Sequence, residues 1–237
     1  MTVNPHIFKF KQFEVLQEQS AMKVGTDGVL LGAWAPISQA RNILDIGTGT
    51  GLIALMCAQR QPKVQITALE IEKKAAQEAQ YNFEQSPWPN RLHLYHTDFV
   101  TFSHQEKFDV IISNPPFFDE TIWSPKTPRN MARHTQNLNL AVLIKKSRRL
   151  LSTTGEINLI LPARKKESLE LILNENKLYI KQLCLIRGRS ESKIKRILVN
   201  ISQKKVKTLT TELIIEKQRH IYTDAYIKLT RDFYLKM

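Results

Sequence analysis

The sequence predicts one α/β domain in which a sheet is covered by helices on both faces. Three observations carry this. Short apolar runs alternate with helix-forming stretches from residue 42 onward. A glycine-rich segment, Gly47-Thr48-Gly49-Thr50-Gly51, joins the first of those runs to a helix. Two late apolar runs are separated only by residues 188–195, a connection that suits an antiparallel pair and is too short for a parallel crossover.

The elements follow in order. Residues 7–17 alternate apolar and polar and read as an N-terminal strand or hairpin. Gly25-Thr26-Asp27-Gly28 is a turn, with a helix starting at Asp27. Asn42–Ile46 is the first core strand, Leu52–Arg60 a helix entered through the glycine turn, and Gln65–Glu70 the second strand. Residues 71–85 are rich in helix formers, and Ser86-Pro87-Trp88-Pro89-Asn90 stops them. Residues 91–96 and Phe108–Ser113 are the third and fourth strands. Residues 118–135 are polar, contain Pro125 and Pro128, and read as a mobile loop. A helix over 138–151, a strand over 155–161 and a helix over 165–174 come next. Strands Tyr179–Arg187 and 196–203, a short strand over 210–216 and a helix over 225–234 complete the chain.

The 237 residues fit a single domain, with 1–40 as an N-terminal strand or hairpin plus a covering segment and 41–237 as the core. A hydrophobic share of 42% is enough for a real core. Cys57 and Cys184 lie in apolar runs without metal-ligand spacing, so neither a disulfide nor a metal site is expected. No signal pattern opens the sequence and no apolar run reaches spanning length, so a cytoplasmic protein is expected. Charge is unevenly divided. Residues 1–125 carry 10 Lys and Arg against 13 Asp and Glu, a balance of −3; residues 126–237 carry 25 against 9, a balance of +16. Any one cluster reads as solvated surface, but an excess of that size points to a polyanion such as RNA. Arg164, Lys165, Lys166, Arg187, Arg189 and Lys193 are the candidate contacts.

Two motifs carry chemistry. Asn114-Pro115-Pro116-Phe117 follows the strand Phe108–Ser113 directly. Its prolines fix φ and remove two N–H donors, and Asn114, preceding a proline, is held extended. This makes a stiff ledge offering an amide oxygen, backbone carbonyls and an aromatic face, suited to a planar group bearing an –NH2. Bonds from that amino group to the Asn114 side-chain oxygen and the Pro115 carbonyl would free its lone pair, while Phe117 stacks on the ring. The second motif is the glycine turn. Gly47, Gly49 and Gly51 let the backbone approach a ligand closely. Such a turn also suits a dinucleotide, but the spacing is G-x-G-x-G, and Asp45 just before it would repel a pyrophosphate and favour a cation. Glu70 ends the next strand, where an acid can accept from ribose hydroxyls.

Together these motifs resemble amino-group methyltransferases that use S-adenosylmethionine (SAM), whose Rossmann-like fold is a mostly parallel seven-stranded sheet with an antiparallel last strand. Lys23-Val24-Gly25-Thr26-Asp27-Gly28, the glycine turn, Asn114 to Phe117 with Phe118, and Ala132-Arg133-His134 extend the likeness from about Phe13 to the C-terminus. This set is similar to the bacterial tRNA1(Val) (adenine-N6)-methyltransferase family, which modifies the adenosine just 3′ of the anticodon. The resemblance implies that Asp98 accepts from the amino group of the cofactor's adenine. It also implies that Lys23, Gly25 and Thr26 face the methionine end of SAM, and that Phe117 and Phe118 hold the base. Arg133 reads as a phosphate contact; His134 is unassigned. A monomer acting on tRNA is expected. Guanine-N2 rRNA and protein-glutamine methyltransferases share the ledge but continue it differently. A non-catalytic RNA-binding module fits poorly with intact Asp45, Gly47, Gly49, Glu70, Asp98 and Asn114.

Overall fold

A computed structural model describes residues 6–20, 22–116 and 139–237. The expected loop over 118–135, with Phe117, Phe118, Arg133 and His134, lies outside the described residues. The chain opens with a small antiparallel hairpin, β1 (Ile7–Lys9) and β2 (Glu14–Leu16), followed by α1 (Thr26–Trp34). The core then alternates β3 (Asn42–Ile46), α2 (Leu52–Arg60), β4 (Gln65–Glu70), α3 (Lys73–Glu84), β5 (Leu92–His96) and β6 (Phe108–Ser113). After the undescribed segment come α4 (Leu140–Leu150), β7 (Leu151–Pro162), α5 (Lys166–Glu175), β8 (Tyr179–Arg187), β9 (Arg196–Ser202) and β10 (Leu209–Ile214). A second hairpin, β11 (Glu216–Gln218) and β12 (Ile221–Tyr222), precedes α6 (Asp224–Thr230).

The main sheet runs in the order β10-β8-β9-β7-β6-β3-β4-β5. Strands β7, β6, β3, β4 and β5 are mutually parallel, and β9 is antiparallel to both β7 and β8. The first seven of these strands in chain order, β3 to β9, give the expected parallel sheet with its last strand reversed. The sheet has one strand more: β10 joins the outer edge of β8 in parallel. It is the short strand expected over 210–216; its residues are mostly exposed and only Leu213 is buried, so its place in the sheet is not marked by alternation.

Alternate strand residues face two cores, one on each side of the sheet. Ile43, Ile66, Ala68, Val110, Ile112, Ile160 and Leu198 pack with α1, α2 and α6. Leu44, Ile46, Leu69, Ile111, Leu159 and Val199 pack with α4 and α5. Two arginines complete helix ends, where the last carbonyls lack intrahelical donors. Arg60 donates to Gly32 O near the end of α1, and Arg91 donates to Ala58 O and Gln61 O at the end of α2, each at 2.8–2.9 Å. The first hairpin is anchored at one end by rings: Phe10 stacks on Phe13 and lies against Tyr234, with which it forms an isolated antiparallel bridge. That pairing explains why α6 stops at Thr230 although a helix is expected to reach 234.

Gly155 sits where β7 slips in register against β6, between the pairs Phe108–Leu151 and Val110–Glu156. A Cβ there would stand 2.7 Å from Phe108 O and 2.9 Å from a Leu151 methyl. Gly155→Ala is therefore expected to destabilise the fold by about 1–3 kcal/mol through overpacking, read as a lower denaturant midpoint with an unchanged slope.

Candidate active site

The site forms at the carboxyl ends of the parallel strands. From β3 the chain steps outward through β4 and β5, then returns to place β6 on the other side of β3. This reversal of strand order opens a crevice between the β3 and β6 ends, the usual ligand position in open α/β sheets. The register puts Asp45 opposite Ile112 and Glu70 opposite His96, so the glycine turn, Glu70, Asp98 and Asn114 all emerge along one edge.

The glycine turn is bonded into place. Gly47 and Thr48 N–H both donate to Leu69 O at 2.9 Å, and Gly51 N–H donates to Thr48 O. Gly47 and Gly49 have φ of +69° and +57°, and nothing lies within 4 Å of where their Cβ atoms would stand. They form a cradle that side chains would fill, as a closely approaching ligand requires. Gly51 differs: a Cβ there would meet the Phe83 ring at 2.5 Å, so this position serves packing of the turn against α3.

Asp45 lies beneath the turn and is 0% exposed. Its Oδ2 accepts from Thr48 Oγ1 at 2.6 Å, while Oδ1 has no partner of regular hydrogen-bond geometry. Burial pushes its carboxyl up to about 7; the Thr48 hydroxyl and the Ala54 N–H work against this, and the nearby Glu70 charge adds to it. Such a group is eased by a cation placed over it. The sequence does not reveal that the carboxylate sits under the turn, so that it presents a field there and no exposed oxygen.

Glu70 is buried and accepts three backbone N–H groups: Gly49 on Oε2, and Ile71 and Glu72 on Oε1, all at 2.9 Å. Its carboxylate fixes both the glycine turn and the entry to α3. Ile71, the residue after the end of β4, is 46% exposed although strongly apolar. Asp98 is half-buried and closes its own turn, with Oδ1 accepting from Val100 N at 2.8 Å. Phe99 is buried behind it, and the Lys146 ammonium lies 5.3 Å from that ring's centre while donating to Val100 O.

At β6, buried Ser113 donates its hydroxyl to Ile46 O at 2.8 Å, tying the two strand ends together where they diverge. Asn114 is half-buried, Pro115 buried and Pro116 exposed, so the ledge begins at the crevice and turns outward. Lys23, Gly25 and Thr26 are exposed at the start of α1. The N-terminus of α1 is drawn to the same edge by an ion pair from Asp27 to Arg196 at 2.7 Å, since Arg196 starts the reversed strand β9.

The basic candidates share this edge but not one state. Arg187 is held by Glu212 and by Ser192 O, Arg189 pairs with Glu216, and Lys166 pairs with Glu170. Arg164 is exposed at the start of the turn leading to α5 and Lys165 is half-buried beside it. Lys193 is exposed in the β8–β9 connection. Sequence reasoning missed Thr48, Ile71 and Ser113. It also missed Glu78 and Asn82, polar residues on the buried stripe of α3; that mismatch with helical periodicity is the signal that could have found them. Among the described residues no cluster of His, Cys, Asp or Glu could hold a metal, and no helix is long and apolar enough to cross a membrane.

Comparison with known proteins agrees with this geometry. Residues 20–183 match the methyltransferase small domain family model. Solved structures share the fold. A predicted O-methyltransferase of Agrobacterium tumefaciens superposes with a TM-score of 0.68 at 19% identity, covering 87% of this chain and 96% of that one. A ribosomal protein L11 methylase of Lactobacillus delbrueckii gives 0.55 at 18%, covering 75% and 77%. Relatives named tRNA1(Val) (adenine(37)-N6)-methyltransferase are much nearer in sequence. That of Flavobacterium psychrophilum is 45% identical over 98% of this chain and 100% of its own length. That of Bacteroides fragilis is 44% identical over 97% and 98%, and that of Pseudoalteromonas translucida is 42% identical over 97% and 99%. With near-complete coverage at this identity, and with the glycine turn and the Asn114 ledge meeting at the strand-order reversal, the chain belongs to the tRNA1(Val) (adenine(37)-N6)-methyltransferase family.

Proposed function

We propose that this chain methylates the exocyclic N6 amino group of adenosine 37 in tRNA1(Val), with SAM as donor. The observation that carries the reading is the convergence of Asn114 with an open glycine cradle over a buried, partly unpartnered carboxylate.

The residues present fit SAM. Gly47 and Gly49 leave room for its backbone-close portion, with Lys23, Gly25 and Thr26 at the methionine end and Gly51 shaping the turn. Asp45 provides the negative field for its cationic groups. Glu70, with three of its accepting positions taken by backbone N–H groups, keeps one on Oε2 for a ribose hydroxyl, and Asp98 has capacity for the adenine amino group. When bound, SAM supplies a methyl already activated on a sulfonium. Asn114 and the Pro115 carbonyl orient the target amino group and draw its N–H hydrogens, which leaves the lone pair directed along the transfer axis. Phe117 and Phe118 supply the stacking faces for an extruded base, and Arg133 a nearby phosphate contact. No strong general base is needed, because the methylated nitrogen loses its proton readily to water. Cations on the β7–β9 side of the same edge, Arg164, Lys165, Lys166, Arg187, Arg189 and Lys193, attract the RNA backbone. The enzyme acts as a monomer in the cytoplasm, where its tRNA is.

The test is methyl transfer from labelled SAM to unmodified tRNA followed by nucleoside identification; N6-methyladenosine is expected, and a methylated guanine would redirect the reading. In the same assay Asn114→Ala should keep SAM affinity and lower kcat by about a hundredfold or more, as on loss of a transition-state hydrogen bond.

Asp45 makes a pH prediction. Its folded-state value near 7 exceeds the usual 3.8, so the folded chain holds a proton that the unfolded chain releases. Its contribution to stability is therefore lost as pH rises from about 4 through 7. A bound cation favours the charged form, so SAM affinity should increase from pH 6 to 8. Asp45→Asn should flatten that dependence, weaken SAM binding and raise the ligand-free Tm at pH 8. Calorimetry and thermal melts check both.

RNA recognition separates the two sheet edges. Reversing Lys165 and Lys193 together to Glu should raise KM for tRNA while kcat at saturating tRNA is largely kept. Reversing Lys204 and Lys205, exposed beyond the far end of β9, should change KM much less. Tight binding should fall steeply with salt, whereas SAM affinity should barely respond.

A further inference from the structure

Helix α3 buries two polar side chains one turn apart, Glu78 at 3% and Asn82 at 2% exposure. Neither reaches the crevice, and both serve the same purpose. The Glu78 carboxylate accepts from three consecutive backbone N–H groups, those of Glu18, Gln19 and Ser20. The Asn82 amide acts as one rung of a strand for Leu16: its Oδ1 accepts from Leu16 N at 2.8 Å and its Nδ2 donates to Leu16 O at 2.9 Å. The same Nδ2 donates to Thr50 O at 2.9 Å. One nitrogen thus holds the N-terminal arm and the glycine turn within two hydrogen-bond lengths of each other. The arm passes the constraint on, because Gln17 Oε1 accepts from Val24 N at 2.7 Å. Val24 is flanked by Lys23 and Gly25, at the entry to α1.

An unpaired buried carboxylate or amide is costly, so these groups hold the arm in one arrangement for as long as α3 is folded. What the polar pair adds is register between three segments: residues 16–20, the start of α1 and the glycine turn.

We propose that Glu78 and Asn82 are positioning residues for the cofactor: by docking residues 16–20 on α3 and tying Leu16 to Thr50, they set the wall that faces the glycine cradle. The inference rests on the SAM reading above. Its signature is a selective loss of SAM affinity without loss of the chemical step or of tRNA recognition.

The experiment compares Glu78→Gln and Asn82→Ala with the wild-type chain and with Leu173→Ala, which is destabilised in the opposite core. SAM binding is measured by calorimetry, steady-state methyl transfer with each substrate varied in turn, and amide exchange over residues 16–24. Both α3 variants are expected to raise the SAM Kd and KM about tenfold or more. The KM for tRNA and kcat at saturating SAM should stay within about threefold, and amides 16–20 should exchange faster. Leu173→Ala should lower Tm and leave SAM Kd unchanged. Folded α3 variants with wild-type SAM affinity overturn the inference alone. An equal loss of SAM affinity in Leu173→Ala also overturns it, by showing that general destabilisation suffices. A wild-type chain that binds no SAM overturns the functional reading and this inference with it.

Discussion

Strands β3 and β6 lie side by side until Ile46 and Ser113, and the structure turns on how their ends part. Beyond that point the chain leaves β3 through the glycine turn towards α2 and leaves β6 along the Asn114 ledge. The Ser113 hydroxyl bonded to Ile46 O is the last contact before divergence. It adds a side-chain donor to a backbone carbonyl at the end of the ladder, where buried polar groups need partners. A parallel sheet with helices on both faces forces such a parting wherever strand order reverses, and only there do two loops open away from each other.

At the glycine turn the acidic side of the crevice is organised by backbone donors, and the nearby cation, Lys146, lies farther along beside Asp98. Glu70 gathers the N–H groups of Gly49, Ile71 and Glu72. Multiple N–H donors stabilise a carboxylate without neutralising its net charge. The negative potential of Glu70 therefore persists at the turn, and the buried Asp45 adds to it only as it ionises, near pH 7. A lysine or arginine in the same place would have cancelled the field while holding the same geometry.

The sequence made the parallel core legible because its strands are apolar on both faces and bounded by turn residues. The glycine turn and the prolines after Asn114 constrain the backbone so strongly that local reading sufficed. Elements at the edge were less legible. The short strand expected over 210–216 is β10, but its exposed residues do not say which strand it joins, and the turn of the β11–β12 hairpin contains His220 at φ +63°, where no glycine or asparagine marks the bend. Charge was legible as an imbalance between the two halves of the chain but not as pairing. Arg187, Arg189 and Arg196 meet Glu212, Glu216 and Asp27 only through strand pairings distant in sequence. Gly51 likewise looks like its neighbours Gly47 and Gly49 until Phe83, 32 residues on, is seen against it.

The edge carries two opposite fields divided by the strand-order reversal. On one side, the ends of β3, β4 and β5 bring Asp45, Glu70 and Asp98. On the other, the end of β7 and the β8–β9 connection bring Arg164, Lys165 and Lys193, while Arg187, Arg189 and Arg196 there are paired with Glu212, Glu216 and Asp27. Asn114, neutral and at the end of β6, stands on the boundary. This arrangement suits a reaction between a cationic donor and a polyanionic acceptor, because each would be drawn to its own side and disfavoured on the other. A neutral residue at the boundary is then a physical requirement: a carboxylate there would compete for the donor's charge, and a lysine would compete with the amino group to be oriented. An amide oxygen at that position can accept from an amino group without adding net charge to either field.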